Sequence, residues 1–240
     1  MIQAIPEWDK QIFYTINGSR NELFDVIMPV FSLTWLLWAL GLAAFAIWTI
    51  AALRRKEKWK HCKPVLFGMA LILVTAGVTD LVTVAVKDDI GRLRPYQSLP
   101  FAYYQSKSGW HQNSAVFIPD KHRADSFFSG HASHSMAVAV TAATLCPPLA
   151  PVIFAMPLVV GYSRVYLGKH YPSDVLAGWA AGALIALLFR YGTRKIRKAL
   201  QPGDSLQTDR EPVSRFNAWR AKLAAGSTQR YASSKTSHKT

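Results

Sequence analysis

Long uncharged stretches alternate with short charged runs along this chain. Residues 29–53 contain no Asp, Glu, Lys or Arg in 25 positions, and residues 64–86 contain one charge, Asp80. Residues 126–163 carry none over 38 positions, too many for one membrane-crossing helix of about 20 residues. Prolines 147, 148 and 151 divide that run in two. A further apolar stretch begins at Ser173-Asp174 and closes at Arg190. The pattern predicts an all-α protein, a polytopic membrane helical bundle of about five transmembrane helices. The spans fall near 33–53, 65–86, 129–146, 150–166 and 173–191, so that 33–191 forms the core domain.

The two flanks differ from that core. In residues 1–32, Ile12, Phe13, Ile16, Leu23, Phe24, Ile27 and Met28 recur at near-helical spacing, interrupted at Asn17-Gly18. Two short amphipathic helices lying in the membrane interface are expected there. The first residues lack the basic start and continuous apolar core of a signal peptide, so insertion is expected to use an internal span. Residues 192–240 form a basic tail expected on the cytoplasmic side. Val213, Phe216, Trp219 and Leu223 recur helically among Arg215, Arg220 and Lys222, which suits a helix on an anionic leaflet. The polar stretch 226–240 is expected to be disordered.

Charge orients the spans. The net charge is +14, but the basic residues are not spread evenly. Residues 54–63 hold six basic residues against one acidic, and 190–240 hold twelve against three, whereas 1–32 hold two against four. Five spans put the first two segments on one side, and the positive-inside rule makes that side cytoplasmic. No recognition motif accompanies the charge, so no nucleic-acid partner is expected. Cys62 and Cys146 fall on the cytoplasmic side as unpaired thiols, in no metal-binding spacing. No metal and no cofactor is expected.

Three clusters of chemically capable residues then lie on the outer side. The first is the run from Lys87 to Arg94-Pro95; cations on that face run against the positive-inside bias, and an arginine fork with a lysine point charge suits a phosphate. The second is Ser129-Gly130-His131 at the start of a span. A helix N-terminus there offers backbone N–H groups to an anion, Gly130 permits close approach, and His131 is placed to hand over a proton. Ser126 or Ser129 caps that helix. The third runs from Ser163-Arg164 to His170 and Asp174. Arg164 can clamp phosphate. Asp174, four residues beyond His170, can accept from one imidazole nitrogen and leave the other free to attack. Asp80 is expected to pair with a polar group inside the bundle, and His134 to pack in the core. Tyr96, Phe101, Tyr103, Tyr104, Trp110 and Phe117 mark the loop 96–125 as a segment that recognises substrate or anchors at the interface.

Together these clusters resemble the three signature motifs of the type 2 phosphatidic acid phosphatase family, which includes the vanadium haloperoxidases. The family pattern is K-x6-R-P, then P-S-G-H, then S-R-x5-H-x3-D. It is matched here by Lys87…Arg94-Pro95, Phe128-Ser129-Gly130-His131 and Ser163-Arg164…His170…Asp174, with Phe128 replacing the usual proline. The resemblance implies a metal-independent reaction. His170 forms a phosphohistidine, Asp174 orients it, and His131 protonates the leaving group. Lys87, Arg94, Ser129, Gly130 and Arg164 hold the phosphoryl oxygens.

The function expected from all of this is that of a lipid phosphatase in a bacterial inner membrane, with its active site on the periplasmic side and its C-terminus in the cytoplasm. Its partners are the bilayer and a phosphorylated lipid such as undecaprenyl pyrophosphate, phosphatidylglycerol phosphate, phosphatidic acid or lipid A. Two other functions fit the same residues less fully: a lipid phosphotransferase that passes the phosphate to a second lipid, and a non-enzymatic polytopic protein.

Overall fold

The computed structural model describes residues 5–33, 50, 54, 58–120, 124–145 and 147–200. Two compact units divide the chain, Met1–Arg190 and Tyr191–Thr240. The basic tail from residue 201 onward, with its expected amphipathic helix, lies outside the described residues. So does nearly all of the first expected span.

The described residues form seven α-helices and one hairpin. Helix α1 is Glu7–Gly18 and α2 is Glu22–Phe31; the break expected at Asn17-Gly18 falls at residues 19–21 instead, and Asn17 and Gly18 both belong to the last turn of α1. Asn21 caps α2, its side-chain oxygen accepting from the Phe24 N–H at 2.8 Å. Helix α3 spans Lys58–Ile90, so the basic run is helical from residue 58. A short helix α4 (Pro95–Ser98) follows, then strands β1 (Tyr103–Ser106) and β2 (Gly109–Gln112). The strands pair antiparallel, Tyr103 opposite Gln112 and Ser106 opposite Gly109, around a turn at Lys107-Ser108. Helix α5 is Gly130–Leu145, α6 is Ala150–Tyr166 and α7 is Pro172–Leu200.

Among the described residues, three helices are long and apolar enough to cross a membrane, through Phe67–Lys87, Pro147–Tyr166 and Pro172–Ile196. Helix α5 occupies the position of a fourth expected span. At 16 residues it is about 24 Å long, shorter than the ~30 Å hydrocarbon layer.

Helices α5 and α7 lie unusually close. A methyl group added at Gly178 or Gly182 would overlap the backbone carbonyl oxygens of Ser129 and Ser133. Small residues let helix backbones approach in this way where lipid supplies no hydrophobic drive between them. Hydroxyls line the facing seam between α3 and α5. Thr75, Thr79 and Thr83 each donate to the carbonyl one turn earlier, and Thr83 Oγ1 lies 3.2 Å from Ser133 Oγ. On the same two helices Asp80 Oδ1 accepts from His134 Nδ1 at 3.1 Å, so Asp80 has a polar partner, but its side chain is 64% exposed and lies on the surface of the bundle rather than inside it as expected.

The buried core of Phe13, Leu99, Ala102, Ala132, Val165, Tyr171 and Val175 sits at one end of the bundle. Helix α1 is part of it, because Phe13, Asp9 and Asn17 on one face are all fully buried. Asn17 joins three elements. Its amide donates to the Tyr103 and Tyr166 carbonyls at 2.9 and 2.8 Å and accepts from the Tyr103 N–H at 2.8 Å. A residue that reads as a helix breaker is thereby the clamp between α1, the hairpin and α6.

Candidate active site

Helix α6 stops at Tyr166 because the next residues turn back on it. Gly168 takes a left-handed conformation, φ +70°, and its N–H donates to the Val165 carbonyl at 3.0 Å. A side chain there would also strike the Tyr103 carbonyl of the hairpin. The Arg164 carbonyl accepts from Lys169 N at 3.1 Å and His170 N at 3.3 Å, which places His170 over the end of the helix carrying Arg164. Pro172 then opens α7 at its first position, where a missing N–H costs nothing. Asp174, in the first turn, reaches back to the Tyr171 N–H at 2.9 Å. That is the acidic half of a capping box, so the four-residue spacing from His170 also serves the helix start.

His170 is 1% exposed and Asp174 fully buried. The imidazole Nδ1 lies 2.9 Å from the Ser126 carbonyl oxygen and 3.7 Å from Asp174 Oδ2. A carbonyl only accepts, so Nδ1 carries the proton and Nε2 holds the lone pair of the neutral ring. The tautomer is therefore set by a backbone carbonyl, with the Asp174 carboxylate beside it. Ser126 serves both residues, because its hydroxyl donates to Asp174 Oδ2 at 2.6 Å. Burial pushes His170 down from its ordinary value of 6.5 to about 4; the Asp174 carboxylate opposes this, and Arg164 and Arg94 add to it. At neutral pH the ring is neutral.

The cations converge on the same place. Arg164 and Arg94 both act electrostatically on His170 and Lys169. Lys87, in the last turn of α3, acts on His131, as do Arg164 and His170. His131 Nε2 lies 3.2 Å from the Ser32 carbonyl oxygen at the end of α2. Gly130 is the first residue of α5, and the Ser129 N–H donates to the Asp174 carbonyl at 3.0 Å. Arg164 is 8% exposed and Ser129 fully buried. Arg164 Nε and Ser129 Oγ are two of the five buried polar side-chain atoms that have no hydrogen-bond partner among the described residues. Two buried donors left unpaired are costly unless an acceptor reaches them. A phosphoryl oxygen is such an acceptor. Arg94 is held differently, its fork engaging Asp125 at 2.8 Å from Nε and 3.0 Å from Nη2.

The fold thus brings Lys87, Arg94, Ser129, Gly130, His131, Arg164, His170 and Asp174 to one end of the bundle. Three further residues at this site were assigned no role there from sequence. Arg92 is 7% exposed, and its guanidinium bridges Asp174 Oδ1 at 2.5 Å and Asp9 Oδ2 at 2.7 Å. Ser173 joins them, with its N–H on Asp9 Oδ1 at 2.9 Å. A signal for Asp9 did exist: it lies four residues before Phe13 and eight before Asn17, on the stripe that α1 buries. The aromatic loop contributes a rim. Tyr96, Tyr104 and His111 stack at 5.4 and 5.5 Å, and Lys169 Nζ sits 4.9 Å from the centre of the Tyr96 ring. Burial lowers Lys169 to about 8, with Arg164 and Arg94 adding to the shift. On the far side, the Arg20 guanidinium lies 3.4 Å from the centre of the Trp110 ring and pairs with Asp25 at 2.7 Å.

Apolar helices of membrane-crossing length, with histidines and cations gathered where four helix ends meet, define a polytopic membrane protein with a buried cluster of ionisable residues. The chain belongs to the PAP2 superfamily, whose family model matches residues 66–198. Its relatives are phosphatases of phosphorylated lipids. It is 32% identical over 206 residues to a lipid A 1-phosphatase of Rhizobium johnstonii, covering 75% of this chain and 79% of that one. It is 25% identical to the undecaprenyl-diphosphatase BcrC of Bacillus subtilis, covering 75% and 81%. The crystal structure of Aquifex aeolicus LpxE shares the fold with a TM-score of 0.59 at 19% identity, covering 80% of this chain and 99% of that chain.

Proposed function

We propose that this chain removes phosphate from a phosphorylated membrane lipid through a phosphohistidine on His170. The observation that carries this reading is the lock on His170. Its Nδ1–H is held by the Ser126 carbonyl, so Nε2 is the nucleophilic nitrogen, and the cations Arg164 and Arg94 act on the same ring. In the first step Nε2 forms a bond to phosphorus while the bond from phosphorus to the lipid oxygen breaks. His131, entering the step as the imidazolium, gives that oxygen its proton and becomes neutral. A water then attacks the phosphohistidine, loses a proton to His131, and leaves inorganic phosphate with His170 restored. Lys87, Arg94, Arg164, Ser129 and the Gly130 N–H stabilise the charge on the equatorial oxygens, so the reaction needs no metal.

The site lies on the outer face of a bacterial inner membrane, in a bundle of five spans with the C-terminus in the cytoplasm. The clustering of positive charge in 54–63 and 190–240 supports that orientation. The substrate is one of the lipids that the relatives' names identify: a lipid A phosphate, an undecaprenyl diphosphate or a phosphatidylglycerol phosphate. Phosphatidic acid completes the set.

The test is phosphate release from these four lipids in mixed micelles by the purified full-length chain and by His170→Ala, with and without chelator. The expected result is chelator-resistant release on at least one lipid, abolished in the variant, with an acid-labile, alkali-stable phosphoenzyme in the wild type. Undiminished release by His170→Ala would overturn the nucleophile. Phosphate recovered only on a second lipid would make the chain a transferase.

A further inference from the structure

The guanidinium of Arg92 lies between two buried carboxylates. Nη2 donates to Asp9 Oδ2 at 2.7 Å, and Nη1 donates to Asp174 Oδ1 at 2.5 Å and to Ser173 Oγ at 2.7 Å. Ser173 closes the ring by donating its N–H and its hydroxyl to Asp9. Asp9 and Asp174 are fully buried. Burying two carboxylates is expensive unless they are paired and hydrogen-bonded, and here one guanidinium serves both. The same residue also holds His170's other neighbour, since its backbone carbonyl accepts from the Ser126 N–H at 2.8 Å. Ser126 in turn accepts from His170 Nδ1 and donates to Asp174. The Tyr171 ring covers the guanidinium at 4.4 Å, and its hydroxyl is hydrogen-bonded to Ser98 Oγ at 2.7 Å.

We propose that Arg92 is the positioning residue of the reaction, fixing the Asp174 carboxylate beside His170 and tying that geometry to helix α1 through Asp9. This rests on the assignment of His170 as nucleophile. Every acceptor position of Asp174 around the imidazole is set by a neighbour. Oδ1 is held by Arg92, and Oδ2 by Ser126 Oγ and the Tyr171 N–H. Without Arg92, Oδ1 loses its donor and the Asp9 charge is left unmatched. Oδ2 keeps its two donors, but the carboxylate can pivot about them and change its approach to a ring that it meets only at 3.7 Å. Arg94, two residues on, has a different task, because its fork faces Asp125 and its charge reaches His170.

The experiment uses the full-length chain in mixed micelles with the four lipids above. It measures kcat, KM and the rate of phosphoenzyme formation for wild type, Arg92→Gln, Arg92→Lys, Asp9→Asn and the double variant Asp9→Asn/Arg92→Gln. A merely structural role would scale down the amount of active enzyme, which a count of trapped phosphoenzyme detects. The expected result for Arg92→Gln is a fall in kcat and in phosphoenzyme formation of about 30-fold per active site, with KM changed by less than about three-fold. Arg92→Lys should recover part of the loss, because an ammonium keeps the charge without the fork. Asp9→Asn should cost nothing further once Arg92 is gone. Arg92→Gln with kcat above about one third of wild type, a loss confined to KM, or additive effects of the two substitutions would each overturn the proposal. If Arg92→Gln does not fold, Arg92→Lys decides, and an unchanged kcat there also overturns it. A wild type that forms no phosphoenzyme, or a fully active His170→Ala, refutes the nucleophile instead and is recognised by that control.

Discussion

His170 Nδ1 lies 2.9 Å from the Ser126 carbonyl oxygen and 3.7 Å from the Asp174 carboxylate. The hydrogen bond that chooses the tautomer thus comes from the main chain of the segment before α5. The acid four residues away acts through charge and through the Ser126 hydroxyl. The two roles separate in mutants. Asp174→Asn keeps the tautomer and should lower kcat by about 10- to 100-fold, whereas His170→Ala should lose about 10⁴-fold or more. Ser126→Ala removes only the hydroxyl and should cost less than about 10-fold. Steady-state kinetics on the best of the four lipids checks all three, and equal losses in Asp174→Asn and His170→Ala would contradict the geometry.

The depressed His170 value sets a pH dependence of both activity and stability. In the proposed reaction the neutral ring is the nucleophile, so its contribution to kcat/KM should hold down to about pH 4 and be lost below it. The fold favours the neutral ring, so between its ordinary value of 6.5 and about 4 the unfolded chain binds more protons than the folded one. Stability from this group is complete above pH 6.5 and falls as pH drops toward 4. A pH–rate profile corrected for the substrate phosphate by ³¹P titration, with thermal melts across the same range, reads both. An acid limb centred near 6.5 would refute the assignment.

Arg94 must exchange Asp125 for phosphate if it is to act on substrate, because its fork is engaged at 2.8 and 3.0 Å. Asp125→Asn removes the competing charge. It should tighten inhibition by inorganic phosphate by about three- to ten-fold, while Arg94→Ala weakens it by at least as much. Inhibition constants for phosphate measure this directly. An unchanged constant in both variants would remove Arg94 from the phosphate site.

The contact between α5 and α7 leaves no room at Gly182. A methyl there would overlap the Ser133 carbonyl, so Gly182→Ala should force the helices apart at a cost of about 1–3 kcal/mol. Ser133 shares the seam with Thr83, and the strain would reach the α5 terminus that bears His131. Lowered melting temperature in detergent, with residual activity falling in step, is the expected result. A variant with wild-type melting would show the contact to be looser than described.

The linear chain by itself determined the elements with a period and the residues with an electrostatic cost. The stretch 150–166 is helix α6, and the interruption read at Asn17-Gly18 falls in the last turn of α1, just before the break to α2. These follow from local composition, because an uncharged run of about 20 residues has one stable form in a bilayer. Lys87, Arg94, His131, Arg164, His170 and Asp174 stood out for the same reason, as ionisable groups where a membrane makes them expensive. Tertiary structure alone decided who pairs with whom. Asp9 and Arg92 are 83 positions apart and Ser126 and His170 are 44, and no local period reports such pairings. The hairpin is short and packs against Asn17, Gly168 and Lys169, so its pattern was lost among the loop aromatics. Helix packing brings Arg92 between Asp9 and Asp174. That meeting depends on glycines that admit a neighbouring backbone and on an asparagine that joins three elements, where the property that matters is the shape of the space around the residue.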